Sequence, residues 1–251
     1  MDLTPIALFG VLLVRPGMIV ALAPGLGGTF LPARAKVALT VLVAIALVPS
    51  VSIPPPNGDI GLTIVLMREA AIGLALAFMV RALIAGTELA GHLASQQIGF
   101  SYAGIIDPST GAQNNVVSWL YGMVATMTFL GVNGHHEILR ALAASYSGLP
   151  VGTGAVDASL LTAVRQTLEL VFVTAARLAA PIIVVLLIVE IVIGFISKVA
   201  PGLSFMVIGY PVRMILGLFV LGLVVATVPG VVAGLTDRTI RLALETAAAF
   251  R

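Results

Sequence analysis

The sequence predicts an all-α, membrane-associated protein with broken and partial-span helices, built for a hetero-oligomeric pore assembly. Of its 251 residues 59% are hydrophobic, and glycine raises this share to about 69%, whereas soluble domains reach roughly 45–50% on the same count. Only 13 Lys and Arg and 11 Asp and Glu are present, too few to cover the surface of a soluble protein of this size. Apolar runs of helical length recur, and the two-residue alternation typical of strands is absent.

The first two apolar runs are too short or too interrupted for a plain span, which needs about 20 residues. Residues 3–23 contain Arg15-Pro16, where we expect the helix to kink or stop because proline lacks the backbone N–H. Residues 37–48 form a run of only 12 residues. Both runs therefore predict helices that cannot cross a bilayer in the ordinary way.

The later runs are longer. We expect helices over residues 62–80, 116–132 and 159–198, and residues 214–235 are the best candidate for a lipid span, since 22 residues carry no charge and only Pro229 interrupts them. Lys and Arg do not fall on one side of the membrane if every run crosses once, so some runs do not cross. The sequence predicts a single domain over residues 1–251.

Charges lie inside these runs, and at a lipid-facing helix centre each would cost at least about 2.5 kcal/mol. They must therefore face protein, water or each other. An ion or proton pathway is one interpretation. We favour packing between helices, because two of the charges are adjacent and largely cancel, and no periodic carboxylate relay is present. The intramembrane charges are Arg15, Arg68, Glu69, Arg177 and Glu190.

The segment from residue 93 to 115 combines flexible and bulky residues. Its only charge is Asp107, which precedes Pro108 and predicts a turn. Irregular backbone at membrane depth survives only where protein buries it or where it lines a cavity. From these residues alone, a pore plug and an ordinary loop between helices both remain open. The candidate plug residues are Gly99, Phe100, Ser101, Tyr102, Gly104, Ile105, Ile106, Asp107, Pro108 and Gly111.

Catalytic, metal and nucleic-acid sites are not indicated. Ser101 lies in a Gly-Phe-Ser-Tyr-Ala segment, but no strand precedes it as a nucleophile elbow requires. His135 and His136 lack the four-residue spacing that places two metal ligands on one helix face. A net charge of +2, spread along the chain, is too small for nucleic-acid binding. We therefore expect a protein that is not an enzyme and needs no cofactor.

Short motifs in a fixed order give the chain a family resemblance. Leu-Pro-Ala-Arg-Ala-Lys occupies residues 31–36, Gln-Ile-Gly-Phe-Ser residues 97–101, Asn-Gly-His residues 133–135, Leu-Pro-Val-Gly residues 149–152, and an Ala-Pro to Gly-Tyr-Pro segment residues 200–211. In this order and spacing they resemble the FliR/SctT family, the R/T subunits of the export gate of type III secretion systems. The Gly-Tyr-Pro ending is more similar to flagellar members than to injectisome members.

The resemblance implies a core subunit of the flagellar export gate in the bacterial inner membrane, at the flagellar basal body. Its implied partners are FliP-like, FliQ-like and FlhB-like subunits, membrane lipid and unfolded export substrates. The family's central loop blocks the closed pore, which implies a plug at the candidate residues given above. An injectisome T subunit, a small secondary transporter using Arg68, Glu69 and Glu190, and an intramembrane hydrolase using Ser101 are the alternatives.

Overall fold

A computed structural model describes residues 4–27, 31–51, 59–100, 116–151, 158–199 and 205–249. Within these ranges the regular structure is helical throughout, which confirms the predicted fold class. A 3₁₀ turn, Val48–Ser50, follows the second helix. The α-helices are α1 (Thr4–Leu22), α2 (Ala33–Leu47), α3 (Asp59–Ile98), α4 (Val116–Gly131), α5 (Gly134–Gly148), α6 (Ala158–Val199), α7 (Phe205–Val225) and α8 (Val228–Ala249).

The first two helices are short and pack against each other. α1 continues through Pro16, so the expected stop at this residue is wrong, although α1 does end just before Pro24 and Gly25. Gly25 has a φ of 79°, a left-handed conformation that glycine adopts readily. α2 has 15 residues, about 23 Å at 1.5 Å per residue, which confirms that this run is shorter than a bilayer span.

Two helices are long and apolar enough to cross a membrane: residues 61–98 of α3 and 161–199 of α6. The sequence predicted the second almost to the residue. It underestimated α3, which continues from the predicted run through Arg81, Glu88 and His92 to Ile98. Isolated polar residues do not end a helix when their side chains find polar neighbours or water.

Two pairs of helices are bent at short breaks. α4 and α5 meet at 67°, and α7 and α8 meet at 45°. The single run predicted over residues 214–235 is therefore wrong, because α7 ends at Val225 and α8 begins at Val228. Pro229 lies at the second position of α8, where a helix needs no N–H donor. The described residues contain two candidate spans, or up to four if each bent pair is one span.

The described chain divides into two compact units. Unit 1 contains Met1–Leu83, Phe129–Glu169 and Ala233–Arg251, and its buried core includes Leu12, Ile19, Ile138 and Leu142. Unit 2 contains Ile84–Thr128 and Leu170–Val232, and its buried core includes Tyr121, Ala125, Ile182 and Leu186. The single domain over residues 1–251 stays a prediction.

Candidate functional site

A buried ion pair joins α1 to α3 in unit 1. Arg15 Nε donates to Glu69 Oε2 at 2.7 Å, and Arg15 Nη2 donates to Glu69 Oε1 at 3.0 Å. Both side chains are 0% exposed. The backbones approach closely here, since a Cβ atom on Gly73 would lie 3.0 Å from Arg15 Cα. The two-point geometry gives Arg15 a fixed orientation as well as a charge partner.

The remaining donors of Arg15 bind the C-terminal end of α5. Nη1 donates to Ser145 Oγ at 3.0 Å, and Nη2 also donates to the carbonyl oxygen of Leu149 at 3.1 Å. The guanidinium lies 4.3 Å from the ring centroid of Tyr146, within the range of a cation–π contact. We call Arg15, Glu69, Ser145, Tyr146 and Leu149 the Arg15 cluster. It joins three helices through groups that are enclosed by protein.

A second polar arrangement lies at the end of α3 in unit 2. Arg213 Nε donates to the carbonyl oxygen of Gln97, and Arg213 Nη2 donates to Gln97 Oε1 at 3.3 Å. Tyr210 Oη donates to the carbonyl oxygen of Gly99 at 2.7 Å. The last carbonyls of a helix have no acceptor role within it, and α7 supplies donors for them. We call Gln97, Gly99, Tyr210, Arg213 and Glu190 the α3 anchor.

Glu190 of α6 completes the α3 anchor by forming an ion pair with Arg213. Their side chains are 33% and 15% exposed. Because Arg213 holds Gln97 and Glu190 at once, it connects α3, α6 and α7. Glu190 therefore neutralises a cation that also caps α3, an arrangement that the sequence did not predict.

The backbone at the start of the candidate plug is tightly enclosed. Gly99 has a φ of 106°, and a Cβ atom there would lie 3.0 Å from the ring of Tyr210. Its N–H and that of Phe100 both donate to the carbonyl oxygen of Ser95 at 3.1 Å. Phe100 is half-buried. The other candidate plug residues lie outside the described residues, namely Ser101, Tyr102, Gly104, Ile105, Ile106, Asp107, Pro108 and Gly111.

The predicted intramembrane charges thus have different environments. Arg15 and Glu69 come together, and Glu190 pairs with Arg213. Arg68 is half-buried on α3, and Arg177 is exposed on α6. Among the residues that the structure describes, no group of three or more His, Cys, Asp or Glu side chains could hold a metal ion.

The sequence did not single out Tyr210, Arg213 or Ser145 as site residues. For Tyr210 a signal existed, because Gly-Tyr-Pro belongs to one of the motifs that carry the family resemblance. Arg213 follows two residues later in an apolar helix, where a charge needs a partner. Ser145 gave no signal, since a serine in a helix more often bonds its own backbone, as it also does here toward Leu142.

Comparison with known proteins shows the family. The model of a family described as bacterial export proteins, family 1, matches residues 6–239. The chain belongs to this family. The match includes the Arg15 cluster and the α3 anchor in full, so both lie inside the region that defines the export family.

Several relatives in the export family are named flagellar biosynthetic protein FliR. That of Caulobacter vibrioides is 29% identical over 232 residues, which cover 89% of each chain. That of Escherichia coli strain K12 is 28% identical over 211 residues, 82% of this chain and 79% of the relative. That of Bacillus subtilis strain 168 is 26% identical over 195 residues, 76% of this chain and 75% of the relative. The resemblance to the FliR/SctT family is thereby confirmed.

Proposed function

We propose that this chain is a core subunit of the flagellar type III protein export gate. The observation that carries the proposal is the family match over residues 6–239, together with FliR relatives that cover most of the chain. The fold supports it, because α2 is too short to span a bilayer and two helix pairs are bent. Such helices suit a subunit that neighbouring proteins enclose.

The proposed partners are FliP-like, FliQ-like and FlhB-like subunits, with unfolded export substrates passing through the assembly. The location is the bacterial inner membrane at the flagellar basal body. The role is structural rather than enzymatic, so energy for export comes from other components. Support comes from α6, which is apolar enough to span a membrane although only 22% of its most apolar window is buried within the chain.

We propose further that the segment from Gly99 to Gly111 plugs the closed pore. Phe100, Tyr102, Ile105 and Ile106 would exclude water and ions, because an apolar constriction prevents a pore from wetting. The α3 anchor supports this role, since it fixes the carbonyl groups of Gln97 and Gly99 where the segment begins. A plug that starts from a fixed point can return to the same closed position.

Coexpression tests the assembly. Expressed with the P-type and Q-type subunits, the chain should purify as a particle of defined mass and stoichiometry in native mass spectrometry, whereas alone it should be polydisperse. A monodisperse monomer that transports a small solute without partners would contradict the proposed function and favour the transporter alternative.

Ion conductance tests the plug separately. Deletion of residues 105–112 should make the assembled gate leak small ions across a planar bilayer. A matched variant that replaces these eight residues by Gly and Ser keeps the length of the segment, and it should leak as well because it lacks the apolar side chains. Unchanged conductance in a correctly assembled particle would remove the plug from the proposal and leave the subunit role intact.

A further inference from the structure

We infer that the exposed face of α6 around Arg177 binds an apolar helix of another subunit, and that this helix carries an Asp or Glu side chain opposite Arg177. The inference rests on the proposed function, because it assigns part of the contact between this chain and its neighbours. It specifies the chemistry of the partner, which family membership does not provide.

The first argument is the exposed apolar surface of α6 in unit 2. Phe172 is 64% exposed and Phe195 is 67% exposed, and 23 residues of helix separate them, about 35 Å. A patch of this length on a protein marks an interaction site. Its large apolar members are Phe172, Val173, Val184, Leu187, Ile188, Ile191, Val192, Phe195, Ile196 and Val199.

The second argument is the charge within this surface. Arg177 is exposed, and among the residues that the structure describes it has no hydrogen-bond or ion-pair partner. Glu190, farther along the same helix, differs because it is paired with Arg213. The apolar face therefore presents one uncompensated cation, and an occupant that supplies a negative charge at this level complements it.

The third argument separates a protein from lipid. Lipid tails contain no anion, and an arginine among them is unfavourable. If a lipid phosphate met Arg177 at the membrane surface, the exposed Phe172 and Val173 one turn before it would lie outside the hydrocarbon. A helix that carries a carboxylate can cover these apolar residues and pair with Arg177 at the same time.

The shape of the surface beside Arg177 favours a helix as well. Ala176 and Ala180 are exposed and stand four residues apart, so they lie on one face of α6. Small side chains allow two helix backbones to approach closely, which strengthens packing where lipid and protein are equally apolar. A neighbouring helix can therefore come near enough for a short Asp or Glu side chain to reach the guanidinium.

The test uses the full chain coexpressed with the other export-gate subunits. Arg177→Glu should lower the recovery of the partner-bound particle tenfold or more, and Arg177→Gln should lower it less because it removes attraction without adding repulsion. Arg165→Glu is the matched control: it makes the same reversal at another exposed position of α6, outside the apolar face, and recovery should stay within twofold.

Two further measurements identify the occupant. A photoreactive amino acid at Val184, which is 53% exposed, should cross-link to a subunit peptide that contains Asp or Glu in an apolar run. Reversal of that carboxylate to Lys should restore assembly with Arg177→Glu. Such rescue is not expected if Arg177→Glu simply fails to fold.

Three results would overturn the inference. Arg177→Glu could assemble like the native chain, cross-links from Val184 could reach only lipid, or no carboxylate reversal in the partner could restore assembly. These differ from failure of the proposed function, in which the native chain itself would not copurify with export-gate subunits.

Discussion

Arg15 and Glu69 form a two-point ion pair between α1 and α3, with N–O distances of 2.7 and 3.0 Å and no exposure of either side chain. A buried ion pair adds little net stability because both charges lose their hydration. Removal of one partner is different, since the other charge stays buried without compensation. The pair therefore acts as a strict requirement for the arrangement of unit 1.

Glu69→Gln should lower the free energy of unfolding by about 3–5 kcal/mol, because Arg15 is left without its counter-charge. Glu137→Gln is the control. It breaks the Arg140 pair, in which the arginine is 75% exposed, and should cost about 1 kcal/mol or less. Denaturant unfolding of the purified complex measures both. Equal losses for the two variants would contradict the role assigned to the buried pair.

Tyr210→Phe should destabilise the end of α3 by about 1 kcal/mol, since the carbonyl of Gly99 loses its donor. Hydrogen–deuterium exchange should show faster exchange of the amides of Gly99 and Phe100. Tyr121→Phe is the matched control, because Tyr121 is buried and its hydroxyl has no hydrogen-bond partner among the described residues. This control should keep or raise stability. A Tyr210 variant with unchanged exchange would show that the α3 anchor does not depend on this bond.

Gly91→Ala should destabilise unit 2 by about 1–3 kcal/mol through overpacking. A Cβ atom on Gly91 would lie 2.7 Å from Ser118 Cα and 2.8 Å from the carbonyl oxygen of Val117, so α3 and the start of α4 must separate. Gly222→Ala meets no atom within 4 Å and should raise stability by up to about 1 kcal/mol through helix propensity. Thermal unfolding distinguishes the two, and a neutral Gly91→Ala would refute the close approach.

Asn133→Val should cost about 1–3 kcal/mol, whereas Asn133→Gly should be nearly neutral. Asn133 has a φ of 59° and a ψ of 26° at the bend between α4 and α5, a left-handed conformation that β-branched residues adopt with strain. Its carbonyl accepts from the N–H groups of His136 and Glu137, and the glycine variant keeps these bonds. The comparison of unfolding midpoints decides, and equal midpoints would mean that the bend does not need the left-handed residue.

Local patterns predicted much of the fold. The all-α class followed from composition, the near-exact limits of α6 from one long apolar run, and the shortness of α2 from proline after it. Pro16 misled because its neighbours allow α1 to continue around it, and Pro229 was underrated because the preceding Ala226-Thr227 turn ends α7. A proline tells where a donor is missing, but tertiary packing decides whether the helix stops there.

The partners of the site residues were not predictable, because they come from distant parts of the chain. Arg68 beside Glu69 suggested local cancellation, yet the Glu69 carboxylate bonds Arg15, 54 positions earlier. Gln97 and Arg213 are 116 positions apart. Adjacency in sequence is informative about turns and caps, whereas pairing across helices depends on the packing of α1, α3, α6 and α7.

The distance of 54 residues between Arg15 and Glu69 has a consequence for biogenesis. A ribosome completes α1 well before α3 emerges, so Arg15 enters the insertion machinery while its future counter-charge has not been synthesised. Lipid rejects such a helix. α1 must therefore wait in a protein-lined or aqueous environment until α3 arrives, which makes this stretch of translation the period in which the nascent chain is most exposed to quality-control proteases.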